Sequence, residues 1–257
     1  MIKNTSYGKY YKQHMIITKV SKRYVIRKCI DMPILATTSK VIANTITYPI
    51  ESIRLLTLCK EDLGINNLAS YVTYIYRGIF SYIPYCITSS YITYTLFFHC
   101  LNTFQHNDTY INLLLASVTT SFLTSFYKLP YNFYQKNKII SGCSENMKSL
   151  YNKNIYPRAV LFMLSEDVPE LLMRFYFNNI ILANIPQMDP LAASLILALI
   201  TTLIVFPMEF CKTSTLCNSK KMKLSFKSVT LLIFTNVLNL FLFFWLLNTL
   251  SSSLMNI

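Results

Sequence analysis

The segment TYPIESIRLL, Thr47 to Leu56, closes an apolar run with a proline, an acid two residues later and a base three residues after that. A proline inside a helix removes one backbone hydrogen bond and kinks the rod. A carboxylate at the mouth of an apolar helix calls for a partner. The pattern returns as PYNFYQ, Pro130 to Gln135, and as PMEFCK, Pro207 to Lys212. The prolines at 49, 130 and 207 stand 81 and 77 residues apart, near a third of a 257-residue chain. Three copies in register outweigh any single motif and define an internal repeat.

The repeat extends upstream with helical spacing. Thirteen residues before each proline stand Ala36, Ser117 and Ser194; nine before, Lys40, Ser121 and Ala198; five before, Asn44, Ser125 and Thr202. Offsets of four share one helical face. Small residues on that face let membrane helices approach closely. The polar group one turn before each proline departs from the apolar face of a bland bundle.

Composition agrees with a membrane class. Hydrophobic residues make up 53% and charged residues 14% of the chain, and the mean hydropathy is +0.37. Soluble domains carry about 25% charged residues. Six stretches approach the ~20 apolar residues that span a bilayer: 33–48, 79–98, 110–127, 159–182, 190–208 and 228–250. Each copy of the proline motif ends an odd-numbered stretch, and the connections group the spans in pairs. The expectation is an all-α membrane protein of six transmembrane helices in three pseudo-symmetric pairs. A basic tail, 1–31, precedes one domain, 32–257, with repeats at about 32–104, 105–185 and 186–257.

The net charge is +13. Residues 1–28 hold eight Lys or Arg and no acid, and KKMKLSFK (Lys220 to Lys227) forms a second basic run. In this setting anionic lipid headgroups and positive-inside loops are the expected partners, rather than nucleic acid. The tail reads equally as a mitochondrial import segment or as an ordinary basic extension. The seven cysteines show no CxxC spacing and the three histidines no ligand spacing, so neither metal nor cofactor is expected. No nucleophile elbow, phosphate loop or facing pair of catalytic acids argues for an enzyme.

Over about 32–250 the chain resembles the mitochondrial carrier family. That family repeats a proline-acid-base motif three times. Each copy is followed by a helix along the membrane surface and an aromatic-base-Gly opening to the next span. The opening is intact as YRG, Tyr76 to Gly78, and degraded in IYPRA, Ile155 to Ala159, and SFKS, Ser225 to Ser228. The resemblance implies solute exchange by alternating access, by a monomer in the mitochondrial inner membrane, with anionic lipid such as cardiolipin bound. The prolines Pro49, Pro130 and Pro207 become helix kinks that bring three helix ends together. A matrix gate follows from Glu51, Arg54, Asn132, Gln135, Glu209 and Lys212: Glu209 with Arg54 as the one full ion pair, Glu51 facing Gln135 with Lys136 nearby, and Asn132 facing Lys212. The family's acid is missing from the ends of the even spans, FFHCLN (Phe97 to Asn102) and FYFNN (Phe175 to Asn179). The opposite gate is therefore expected to be weaker still. A carrier-fold protein that has lost transport and serves as an adaptor or receptor is the alternative.

Carried over from the family, the substrate positions are Tyr85 and Cys86, seven and eight residues after Gly78, then Glu166 and Asp167, then Thr235 and Asn236, with Asn44 across from them. Span four carries Glu166, Asp167, Glu170 and Arg174 within an apolar run. Glu170 and Arg174, four apart, can pair on their own helix. That leaves Glu166 and Asp167 unpaired, either facing a water-filled cavity or in a helix-end network. The cavity reading implies a cationic or zwitterionic solute. KLPYNFYQK (Lys128 to Lys136) and FPMEFCKT (Phe206 to Thr213) resemble segments of the S-adenosylmethionine carriers, so S-adenosylmethionine is the specific expectation.

Overall fold

The computed structural model describes residues 32–55, 57, 72–73, 75–76, 78–104, 109–141, 156–177, 189–216 and 226–255. Among these residues the fold is all-helical, with no strand. Six long helices follow one another: α1 (32–55), α2 (Ile79–Thr103), α3 (Thr109–Ser141), α4 (Tyr156–Leu172), α5 (Pro190–Leu216) and α6 (Phe226–Met255). The basic tail, the KKMKLS portion of the second basic run and most of the stretches where surface helices were expected lie outside the described residues; between α1 and α2 a helical turn ends with the Tyr76 amide donating to the Val72 carbonyl at 3.1 Å.

The start of α2 coincides with the intact opening motif. Gly78 caps α2 with φ 84, a left-handed conformation that disfavours a Cβ. The described parts of α4 and α6 begin within the degraded copies, at Tyr156 and Phe226. Helix ends differ from expectation. Pro49, Pro130 and Pro207 do not end their helices: α1 runs on to 55, α3 to Ser141 and α5 to Leu216. The acid and base of the first and third motifs, and Asn132 and Gln135 of the second, therefore ride on the same continuous helix as the proline. Pro169 in α4 lacks the amide that would bind the carbonyl of Ser165. Just beyond it, the helix widens into a π-turn, Met173–Phe177.

The helices form a closed ring in chain order. Neighbours α2 and α3, α3 and α4, α4 and α5, and α5 and α6 pack together. α1 closes the ring. Its Asn44 and Thr47 accept from Asn239 of α6, each at 2.8 Å, and its Tyr48 ring meets Tyr82 of α2 at 4.9 Å. The small residues of the repeat explain the close approach: Ala36, Ser117, Ser121, Ser125, Ser194, Ala198 and Thr202 are all buried.

Exposure is inverted relative to a water-soluble bundle. Large apolar side chains cover the outside of all six helices, among them Ile46, Phe80, Phe122, Leu161, Leu203 and Phe234. Charged Arg54, Glu166, Arg174 and Lys212 are buried inside. Two helices, Leu191–Thr215 and Val229–Ser251, are apolar and long enough to cross a membrane, and only 39% and 28% of their residues are buried within the bundle.

The main apolar core lies in the half of the bundle away from the three prolines. Its members come from every helix: Ala36 and Ala43, Phe97 and Cys100, Leu113 and Ala116, Leu171 to Met173 with Phe175, Leu197 and Ala198, and Phe243, Phe244 and Leu247. Aromatic rings dominate it. Phe97 stacks on Phe175 at 4.9 Å, Tyr94 meets Phe175 edge-on at 5.7 Å, and Phe243 abuts Phe244 at 5.6 Å. FFHCLN and FYFNN, which lack the acid of the family motif, contribute Phe97, Phe98 and Phe175 to an aromatic plug. In the half nearer the prolines only small peripheral clusters form, around Leu129 and Met163 and around Tyr48 and Leu55.

Candidate functional site: a charged central cavity

A cavity of about 280 Å³ lies on the ring axis and is lined by all six helices. It begins where the plug ends, at Tyr94 and Leu240, and reaches Glu51, Leu55, Lys136 and Glu209 near the prolines. Five carboxylates (Glu51, Glu166, Asp167, Glu170, Glu209) and five cations (Lys40, Lys128, Lys136, Arg174, Lys212) face it. The cavity therefore gathers nearly half of the chain's 11 acids.

One helix organises these charges. α4 presents Glu166, Asp167 and Glu170, and each odd-numbered helix sends it one lysine. Lys212 of α5 binds Glu166. Lys128 of α3 binds Asp167 at 3.0 Å. Lys40 of α1 binds Glu170 at 3.3 Å. Glu166 and Asp167, expected to be unpaired, are thus neutralised from the flanking helices. Two adjacent carboxylates on a helix diverge by about 100°, so each reaches a different neighbour. Arg174 does bind Glu170 on its own helix, as the spacing suggested. It also donates to the Tyr94 hydroxyl and lies 4.3 Å from the centre of the Phe243 ring. The carboxylate oxygens of Glu166, Asp167 and Glu170 lie within 4.8 Å of one another. With lysine or arginine on every one, the cluster has the chemistry of an ion-pair hub rather than of a metal centre.

Near the prolines, polar bonds tie the odd helices pairwise. Arg54 of α1 donates to Glu209 of α5 at 2.9 Å, and Asn236 of α6 donates to the same carboxylate. Gln135 of α3 donates to the Tyr48 hydroxyl of α1 at 2.9 Å. Lys136 of α3 donates to the Thr213 hydroxyl of α5 at 2.6 Å. The Arg54–Glu209 pair is the one expected; the other two links are corrected. Glu51 does not face Gln135 but binds Arg54 one turn along its own helix. Lys212 does not face Asn132, because the Glu166 carboxylate draws it across to α4. Asn132 lines the cavity instead.

The remaining predicted positions all line the cavity. Asn44 donates to the Cys86 thiol at 3.0 Å while accepting from Asn239. Tyr85 stacks on Tyr131, centroids 3.4 Å apart and planes 12° apart. Thr235 turns its hydroxyl back to the carbonyl of Leu231 at 2.7 Å. Asn236 belongs to the proline-end closure through Glu209. Sequence reasoning did not assign Lys40, Lys128, Asn239 or Tyr94 to the site. The lysines stand at different offsets from their prolines, nine before Pro49, two before Pro130 and five after Pro207, so the repeat gave no common signal for them.

Comparison with models of protein families and with curated proteins finds no match to this chain.

Proposed function

We propose that this protein is a solute exchanger of mitochondrial carrier type, a monomer that works by alternating access around the central cavity. The observation that carries this reading is the inverted distribution of charge. Large apolar side chains cover the outer face of the ring, while ten charged groups converge on its axis. A charge near the bilayer centre costs at least ~2.5–3.5 kcal/mol on insertion scales, so such groups belong where water or partners meet them. On this reading all six helices cross the membrane and the apolar faces meet lipid. The aromatic plug and the polar ties near the prolines are then the two gates. Three lysine-carboxylate pairs between them give a small polar solute both signs of charge to bind. That supports a zwitterionic or cationic substrate, with S-adenosylmethionine among the candidates. The mitochondrial inner membrane follows from the family resemblance.

A second reading has one observation in its favour: every carboxylate facing the cavity already has a cationic partner. A non-transporting adaptor would keep such pairs purely as structure. The test is counter-exchange in liposomes preloaded with unlabelled amino acids, S-adenosylmethionine, dicarboxylates or nucleotides and offered the labelled solute. Saturable exchange of an amino acid or of S-adenosylmethionine supports the exchanger. Exchange restricted to dicarboxylates or nucleotides overturns the substrate class. A folded protein that exchanges none of them supports the adaptor.

A further inference from the structure

The three lysines that reach α4 are not held equally. Lys212–Glu166 and Lys128–Asp167 are short contacts, the latter 3.0 Å with side chains 15% and 13% exposed. Lys40–Glu170 is longer, 3.3 Å, and more open to the cavity, with side chains 21% and 17% exposed. Glu170 also binds Arg174, so it keeps a cation when Lys40 leaves. Arg174 is itself held by Tyr94 and by the face of Phe243. Separating Lys40 from Glu170 therefore strands only one charge, the ammonium of Lys40. Separating either of the other pairs takes from its carboxylate the only ion-pair partner found for it among the described residues.

From this asymmetry, and resting on the reading that the cavity takes a solute, we propose that Lys40–Glu170 is the pair a zwitterionic solute opens. The cationic group of the solute replaces Lys40 on Glu170, and the carboxylate of the solute takes the freed Lys40. No covalent bond changes; two ion pairs replace one, and no buried charge is left bare. Leaving a buried charge without its partner is the expensive way to break such a pair. A solute with only a cation leaves Lys40 uncompensated. A solute with only a carboxylate takes Lys40 and leaves Glu170 with Arg174 alone, one ion pair fewer than the zwitterion makes. The chemistry thus selects an amino-carboxylate over its singly charged relatives. The volume of about 280 Å³ lies at the lower edge of ordinary small-molecule pockets, ~300–1,000 Å³, and favours the compact members of that class.

The test uses the full chain purified in detergent and matched ligands that differ only in charge. Methionine and serine are each offered as the free amino acid, the methyl ester and the N-acetyl derivative, with S-adenosylmethionine alongside. Ligand-dependent thermal stabilisation reads binding without requiring transport, and liposome counter-exchange is measured in parallel. In wild type, at least one free amino acid should half-saturate at ~10-fold lower concentration than its ester and its N-acetyl form, the factor that one modest ion pair supplies. In Lys40→Met the advantage over the ester should vanish, and in Glu170→Gln the advantage over the N-acetyl form. An ester that binds wild type as well as its free amino acid overturns the proposal. So does the absence of stabilisation by every free amino acid and by S-adenosylmethionine, or a preference that survives in Lys40→Met. The wild-type comparison stands even if a variant fails to fold. Charge-selective binding without exchange leaves this inference intact and refutes transport. Exchange with no preference for the zwitterion does the reverse.

Discussion

Arg54 is the cation on which the proline-end closure turns, and three substitutions around it have separable magnitudes. Its side chain has 0% exposure and binds Glu51 and Glu209, whose side chains are 29% and 13% exposed. Arg54→Leu leaves two carboxylates facing each other across α1 and α5. Removing one partner of a buried pair costs about 3–5 kcal/mol. Glu209→Gln keeps an acceptor for Arg54 and leaves Glu51 in place, so what is lost is the charge assistance of one hydrogen bond, at most ~1.5–3 kcal/mol. Glu51→Gln touches a partly exposed pair within one helix, worth ~0.3–0.5 kcal/mol. Heat unfolding in detergent reads the series, at roughly 2–4 °C per kcal/mol for a chain of this size. The expected losses are ~6–20 °C for Arg54→Leu, ~3–12 °C for Glu209→Gln and ~1–2 °C for Glu51→Gln. A second readout is maleimide labelling of a cysteine placed at Leu55, which is 1% exposed under the closure. Labelling should accelerate more in Glu209→Gln than in Glu51→Gln. If Glu51→Gln matches Glu209→Gln in both assays, the closure does not depend on the bond between α1 and α5 and the reasoning fails.

Three further outcomes follow from the packing. Gly78→Ala should lose about 1–2 kcal/mol by heat unfolding, because alanine resists the left-handed conformation that caps α2; an unchanged midpoint would mean that the cap relaxes. Phe243→Ala should cost about 3–5 kcal/mol, since its ring is fully buried in the plug and also carries Arg174, whereas Phe234→Ala on the exposed outer face of α6 should change little in detergent. Lys212→Met should lose about 3–5 kcal/mol alone and regain most of it in the double variant with Glu166→Leu, because an apolar pair often substitutes for a buried ionic one; simple additivity in that cycle would show that the two side chains are not coupled.

Much of the architecture was legible because it is repeated. The three prolines, the rows of small residues upstream of them and the openings at Gly78, Tyr156 and Phe226 mark helices and faces by spacing alone, and those faces are buried. The partners of the charges were less legible, for a physical reason. Sequence offset fixes which helix face a lysine starts from, but a four-carbon stem can swing to either neighbour. Lys212 was expected at Asn132 and goes to Glu166, where an opposite full charge outweighs an amide. Lys40 read as one member of the row nine residues before each proline, though it is the contact of α1 with the α4 hub. The plug was not legible because counting acids says nothing about aromatic packing: Phe97, Phe175 and Phe243 are distant in sequence, and the ring of helices brings them together. The π-turn left no clearer trace than Pro169 ahead of it.

The two closures differ in strength because they differ in chemistry. Near the prolines, one charge-assisted bond and two neutral or singly charged hydrogen bonds join the odd helices. The Gln135 and Lys136 bonds are of the kind that averages only ~0.6 kcal/mol between membrane helices, and the Arg54–Glu209 bond adds ~1.5–3 kcal/mol. At the other end, Tyr94, Phe97, Phe175, Phe243 and Phe244 are each less than 10% exposed. Exposing one such ring to a water-filled vestibule costs about 1.5–3 kcal/mol, so parting the plug opposes several such terms at once. In the proposed exchanger the proline end is therefore expected to be the easier gate. Arg174 belongs to both the plug and the hub: it holds Glu170 in the cavity and lies on Phe243 in the plug. A solute that replaces Lys40 on Glu170 shares that carboxylate with Arg174, and so reaches the stronger gate, where binding energy is most needed.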